Sequence, residues 1–202
     1  GLVTKGVDLS SSLELDKDSI RRTKGKEEYD WIQGSSSHVS KEYQETAFTL
    51  NRESSKITMI FRVFEDGMAY RYEVDGDTGS SDEVTEITEE TSSFVLPDAA
   101  NIWTMGVSAT YEASTYTPRK VSSIKSANSS YGPPILGKVP TNNGDYWVLL
   151  AEANVYNEEE PYCASGFKTK KGSTALQVNF GTYLVQETDE SLDGKKYDPS
   201  YK

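Results

Sequence analysis

One cysteine, one histidine and no long apolar run set the first limits on this chain of 202 residues. Cys163 stands alone, which permits neither an internal disulfide nor a cysteine-based metal cluster. His38, also alone, excludes a histidine-rich zinc site and leaves a single candidate for a serine triad, yet no Gly-x-Ser-x-Gly elbow accompanies it. It reads as a solvated loop histidine. Neither a phosphate-binding Gly-x-x-x-x-Gly-Lys-[Ser/Thr] loop nor a strand-linked dinucleotide fingerprint is present. The longest apolar stretch, Trp147-Val148-Leu149-Leu150-Ala151, has strand length and falls far short of the roughly 20 residues needed to cross a bilayer. Membrane insertion is therefore not expected. Basic residues are outnumbered, 21 Lys and Arg against 32 Asp and Glu, and a net charge of -11 repels phosphate backbones and anionic lipid heads. Nucleic acid is not an expected partner. The first residues lack the basic segment and apolar core of a signal peptide, which leaves export open to a processed chain.

What is present points to β-structure. Thirteen Tyr, 6 Phe and 3 Trp within an apolar fraction of 35% supply the core of one large domain. Ile57, Met59, Phe61 and Val63 alternate with polar neighbours, Glu65-Asp66-Gly67 turns the chain, and Met68, Tyr70, Tyr72 and Val74 alternate again, which predicts a hairpin. Similar period-2 spacing marks Phe48 and Leu50, residues 84–91 and residues 175–180, and residues 93–96 make a short run stopped by Pro97. Short strands are also expected near 101–105, 109–112 and 183–185. The charged run at 21–30 reads as a solvated loop, as does the acidic segment 75–82. Residues 122–134, rich in Ser, Asn, Gly and Pro, read as a further loop. The apolar run at 146–153 has two greasy faces and is expected to be central in a sheet. No segment has the length, caps and 3.6-residue period of an ordinary helix. About ten strands separated by turns predict an all-β sandwich or barrel.

Thirty-two acids make some glycosidase-like carboxylate pair at about 5–9.5 Å nearly inevitable, so the count carries no catalytic information. Glu152 is more specific because it ends the apolar run. Either the strand emerges there and the carboxylate is wet or bonded to a loop, or it is a calcium ligand, since calcium takes carboxylate oxygens with few geometric constraints. Tyr111 and Glu112 with Tyr116 form a polar-aromatic cluster that suits either sugar stacking or surface packing. Trp103 and Trp147 offer a carbohydrate platform, although Trp147 lies in the apolar run and is expected in the core.

Several short motifs occur in a set order: Gly1-Leu2 with Asp8-Leu9, Gly34 with Tyr43, Asp66-Gly67-Met68-Ala69-Tyr70-Arg71-Tyr72, residues 88–97, Tyr111-Glu112 with Tyr116, and Leu149-Leu150-Ala151-Glu152-Ala153. In this order the chain resembles the N-terminal domain of glycoside hydrolase family 97, bacterial α-glucosidases and α-galactosidases of retaining or inverting mechanism. The resemblance implies a β-super-sandwich similar to galactose mutarotase-like domains, spanning 1–186, with 187–202 as a polar extension or the start of a linker. It implies packing on a catalytic (β/α)₈ barrel of the same polypeptide that acts on an α-linked oligosaccharide. By its place in the Glu-Ala motif, Glu152 matches the glutamate that such domains supply to a calcium site. Tyr111, Glu112 and Tyr116 are candidate substrate contacts. No catalytic residue is expected in this chain, which is expected to be inactive alone and to bind calcium weakly or not at all by itself. An exported, periplasmic location is implied as well. Measured against the family, the chain starts after the first strands and stops before the link to the barrel, so the sandwich is expected to be incomplete. The alternative is a stand-alone carbohydrate-binding or structural β-sandwich.

Overall fold

The computed structural model describes residues 1–4, 6–32, 34, 37–76, 87–106, 115–126, 128–153, 165–180, 185–187 and 196–198. The chain is predominantly β-sheet, consistent with a β-sandwich, and divides into two compact units: Gly1–Val3 with Ile87–Lys202, and Thr4–Glu86. After the short strands β1 (Leu2–Thr4) and β2 (Asp8–Leu9), the second unit is built on β3 (Glu14–Asp30), β4 (His38–Arg52), β5 (Ser55–Val63) and β6 (Met68–Gly76). These four form an antiparallel sheet in sequence order, β3-β4-β5-β6.

The alternation read from the sequence sets the faces of that sheet. Leu50, Ile57 and Val74 lie opposite one another across three strands, as do Phe48, Met59 and Tyr72, so the apolar rows converge on one face. Phe48 stacks on Phe61 at 5.9 Å between ring centroids, and Phe61 meets Tyr70 at 6.1 Å. The other face is polar. There Thr49 and Thr58 share a hydroxyl hydrogen bond of 3.0 Å, and Arg62 donates to Glu45 Oε2 at 2.6 Å and to Glu27 Oε1 at 2.7 Å. The Arg62 guanidinium also lies 4.5 Å from the centroid of the Tyr43 ring.

The charged run at 21–30 is not a loop: it forms the second half of β3, paired residue for residue from Arg21↔Ala47 to Asp30↔His38. The register sets Lys26 opposite Glu42 and Glu27 opposite Lys41, in place of apolar alternation. His38 consequently opens a strand rather than a loop; it remains exposed, and its Nδ1 lies 2.8 Å from Asp30 Oδ1. A register shift between Asp16 and Arg21 bulges β3, and Ser19 Oγ fills the gap by accepting from Thr49 N at 2.8 Å.

In the first unit, β7 (Ile87–Glu90) neighbours Leu2 and Val3 of β1, and Thr91 N donates to Gly1 O at 2.8 Å. β8 (Ser93–Val95), β9 (Asn101–Gly106), β10 (Thr117–Lys120), β11 (Ser129–Thr141), β12 (Gly144–Leu150), β13 (Ser165–Thr169) and β14 (Ala175–Phe180) form one sheet of order β10-β9-β11-β13-β14-β8. β12 joins it through β11 alone among the described strands. The only helix among the described residues, α1 (Val121–Ile124), has a single turn and buries Val121 and Ile124. Farther on, β15 (Val185–Glu187) pairs with β16 (Lys196–Asp198), so the expected polar C-terminal segment contains a strand. Of the other expected strands, 109–112 lies outside the described residues, as do most of the acidic segment 75–82 and the first part of 84–91.

Ala100, Ile102, Val121, Ile124, Tyr131, Ile135, Phe167, Leu176 and Val178 make the core, with Phe94, Leu96, Val139 and Leu150 packed on it. Two expectations fail here. Residues 129–134, the latter part of the segment 122–134 read as loop, belong to the long strand β11, whose register slips between Gly132 and Leu136, where Pro133 and Pro134 lack the N–H groups a regular ladder uses. And β12, expected at the centre, stands at an edge among the described strands. At Gly137 the packing is close: a Cβ there would lie 3.1 Å from Leu96 Cδ1, so Leu96 would have to shift by a few tenths of an ångström to admit a side chain.

Glu89 ties β7 to the large sheet by accepting from Lys168 Nζ and from Gln177 Nε2, each at 2.9 Å. The Lys168 hydrogen bond holds its carboxyl below the usual range, against the opposing effect of burial. With the folded-state value lowered, this contribution is fully present above the unfolded value of about 4.3 and fades as the pH falls through the folded value. Glu89→Gln should therefore flatten the acid limb of a stability-versus-pH curve, while leaving its neutral-to-alkaline slope unchanged. Thr104 is 0% exposed and its hydroxyl has no hydrogen-bond partner among the described residues. Thr104→Val should raise the unfolding free energy by about 1 kcal/mol in urea titrations, because it removes an unsatisfied buried polar group.

Candidate functional site

β11 and β12 pair from Ile135↔Leu150 to Thr141↔Gly144. Since neighbouring side chains alternate, that register sends Leu150 and Val148 to the core face and Leu149 and Trp147 to the opposite one. Leu136 lies between Trp103 and Leu149, and Lys138 between Asn101 and Trp147. The outer face thus gathers an apolar patch from three strands. Trp147 is 57% exposed and Leu149 63% exposed. The Trp103 and Trp147 rings meet at 5.5 Å with a 30° tilt, Lys138 Nζ lies 5.7 Å from the Trp147 centroid, and the same ammonium pairs with Asp145 at 2.8 Å. Trp147 is therefore a surface residue and not the core residue expected from its apolar run.

Glu152 follows two residues after β12 ends. It is half-buried, and its Oε1 accepts from the backbone N–H of Ser165 at 2.7 Å and from the Ser165 hydroxyl at 2.5 Å. Both donors fall on one oxygen, so neither bond uses Oε2. The strand ends just before Glu152, and the carboxylate is bonded to the first residue of β13 rather than to a loop. These bonds orient a hard oxygen donor of the kind calcium takes. Among the described residues no three His, Cys, Asp or Glu side chains gather to hold a metal ion.

Ser165 was not legible as a partner. It opens β13 across residues 154–164, and the β13 sequence carries a single aromatic, Phe167, with no alternation to reveal it. Of the candidate substrate contacts, Tyr116 is exposed just before β10, whereas Tyr111 and Glu112 lie outside the described residues.

The family model described as "Glycosyl-hydrolase 97 N-terminal" matches residues 1–188. Among solved structures, one similar chain is a glycoside hydrolase family 97 enzyme in complex with acarbose from Pseudoalteromonas sp. strain K8. The two align with a TM-score of 0.69 at 18% identity, over 91% of this chain and 26% of that one. This chain thus spans about a quarter of the length of the enzyme it matches. No curated protein matches it.

The surface position of Trp147 has a measurable consequence. Trp147→Ala should lower the unfolding free energy of this chain by less than about 1 kcal/mol, well under the about 3–5 kcal/mol of a buried tryptophan. Chemical denaturation of the two proteins separates the cases.

Proposed function

The chain belongs to the glycosyl-hydrolase 97 N-terminal family, and from that premise we propose that it is the non-catalytic N-terminal domain of an exported bacterial α-glycosidase. In this reading residues 1–186 make a sandwich of the galactose mutarotase-like kind that packs on a (β/α)₈ barrel of the same polypeptide. The observation that carries it is the outward face of β9, β11 and β12. Trp103, Leu136, Trp147 and Leu149 leave an apolar patch there, and the strand that builds half of it runs directly into Glu152. A patch of this kind suits a domain interface, which needs apolar cover at its centre.

Glu152 would supply one carboxylate ligand to a calcium ion, with Ser165 fixing the orientation of the group through Oε1. The ion, when bound, would stabilise developing charge or orient water and substrate. This chain's part is then to position a ligand and cover the barrel. Tyr111, Glu112 and Tyr116 are proposed to reach toward the substrate. The acarbose complex of the related enzyme supports an oligosaccharide as that substrate.

A second reading rests on the Trp103–Trp147 pair. An exposed indole beside the Lys138–Asp145 ion pair combines an apolar ring with polar groups, as a carbohydrate-binding surface does. Tryptophan fluorescence during titration with maltooligosaccharides would favour it if quenching saturates and disappears in Trp147→Ala.

Calorimetry separates the main reading from its rivals. The isolated chain should bind calcium only at millimolar concentrations or above, the natural full-length polypeptide much more tightly, and Glu152→Gln in the latter should weaken binding at least ten-fold. Tight, stoichiometric calcium uptake by this chain alone would defeat the proposal.

A further inference from the structure

The hairpin that carries Trp147 turns on Asn142 and Asn143, between the paired residues Thr141 and Gly144. Its backbone is closely specified. Gly144 has a φ of +110°, a conformation that side chains rarely adopt, so the turn depends on glycine at this position. Thr141 Oγ1 donates to Gly144 O at 2.6 Å and accepts from Asn143 N at 3.2 Å, holding the main chain on either side of the Asn143–Gly144 bond.

The Asn143 side chain is not held. It is exposed, and its amide meets no protein partner among the described residues. Asn128, which also precedes a small residue, differs: its Oδ1 accepts from the backbone N–H of Lys171 at 2.9 Å. Asn143 is the only asparagine in the sequence followed by glycine, and a Cβ at Gly144 would have no neighbour within 4 Å, so the space beside that peptide bond is open. The glycine that the turn requires is thus the residue that leaves the asparagine open to attack from its own backbone.

We propose that Asn143 is a site of spontaneous covalent modification, with water as the only co-reactant, and that the modified turn releases the register of β12. Gly144 N gives up its proton to solvent and bonds to Asn143 Cγ, the Cγ–Nδ2 bond breaks, and the nitrogen leaves as ammonia, which closes a five-membered imide. Water then opens the ring. Cleavage of the new bond to Cγ restores the ordinary backbone with an aspartate, whereas cleavage at the main-chain carbonyl routes the backbone through the side chain as an isoaspartate. Nothing is oxidised or reduced; ammonia is exchanged for water.

Both products put a carboxylate, ionised at neutral pH, two residues from Asp145. Asp145 pairs with Lys138 at 2.8 Å, and the same ammonium lies 5.7 Å from the Trp147 ring centroid, so the new charge competes for it. The isoaspartate also lengthens the backbone by a methylene inside a two-residue turn. Turn length sets hairpin register, so the extra atom falls on the Thr141↔Gly144 pair. Among the described strands β12 pairs only with β11, and no second neighbour there restores its position. Loss of register separates Trp103 from Trp147, whose rings meet at 5.5 Å. None of this chemistry rests on the function proposed above.

Peptide mapping of the chain held in mildly alkaline buffer tests it. Asn143 should convert at least about ten-fold faster than Asn128 or any other asparagine, because only its neighbour presents a nitrogen with no side chain beside it. The separated isoaspartate form should show faster amide exchange at 144–150 and a shifted tryptophan emission. Asn143→Gln, which would have to close a larger ring, should keep both unchanged over the same period, and fresh Asn143→Asp, with the charge on an ordinary backbone, should keep the exchange slow. If a synthetic peptide of residues 139–148 converts while the folded chain does not, the turn protects Asn143 and the proposal falls. Conversion that leaves exchange at 144–150 unchanged overturns the effect on β12, as does equally fast exchange in fresh Asn143→Asp, which would assign the effect to charge alone.

Discussion

The pairing of β11 with β12 is the constraint on which the functional surface depends. A pleated strand commits every residue to one of two faces, and the Ile135↔Leu150 register puts Leu150 against the core and Leu149 outside it. A slip of one residue would bury Trp147 and Leu149 and expose Val148 and Leu150, exchanging the patch for part of the core. β11 holds this register from several sides. It pairs with β9 along one edge and with β13 and then β12 along the other, and Gly137 lets Leu96 close over the crossing. The strand hardest to recognise in the sequence is thus the one that sets the geometry of the unit.

What could be read in advance follows from how each strand is stabilised. β5 and β14 bury apolar residues on one face and show polar ones on the other, and β6 half-buries Tyr70, Tyr72 and Val74 between exposed Arg71 and Glu73, so period-2 alternation revealed all three within a residue or two. The outer half of β3 resisted that approach because its neighbours are charges. Its partners, such as Lys26↔Glu42 and Glu27↔Lys41, lie on another strand, and a single-segment reading of charge sees only a solvated run. β11 was obscured by its glycines and prolines, which act as turn signals in isolation and here mark a bulge and a close approach. In β12 the apolar run was seen correctly and its meaning was not. Apolar residues on both faces require cover on both, but the cover need not come from the same sheet.

The candidate site was legible to the same uneven degree. Glu152 could be picked from thirty-two acids because it ends an apolar run. Its donor Ser165 could not, since the bond joins residues on either side of a separate segment and neither sequence implies the other. The aromatic pair was visible as two tryptophans and unreadable as a pair. Its 5.5 Å contact depends on β9 and β12 both flanking β11, a topological fact with no local signature.

Under the proposed function, the closeness of Leu149 to Glu152 couples two events. Three residues of extended chain cover about 10 Å, so a metal ligand and the apolar patch move as one piece. Docking that fixes the strand end then also fixes the carboxylate, lowering the ordering cost of calcium binding. By reciprocity, calcium held between Glu152 and ligands of a second module would strengthen docking by the same factor. The Ser165 bonds act in the same direction: with Oε1 already held, less side-chain freedom remains to be lost when Oε2 meets a cation. Neither effect requires a catalytic group in this chain. An accessory domain built this way can govern an active site by holding one oxygen in place from outside it.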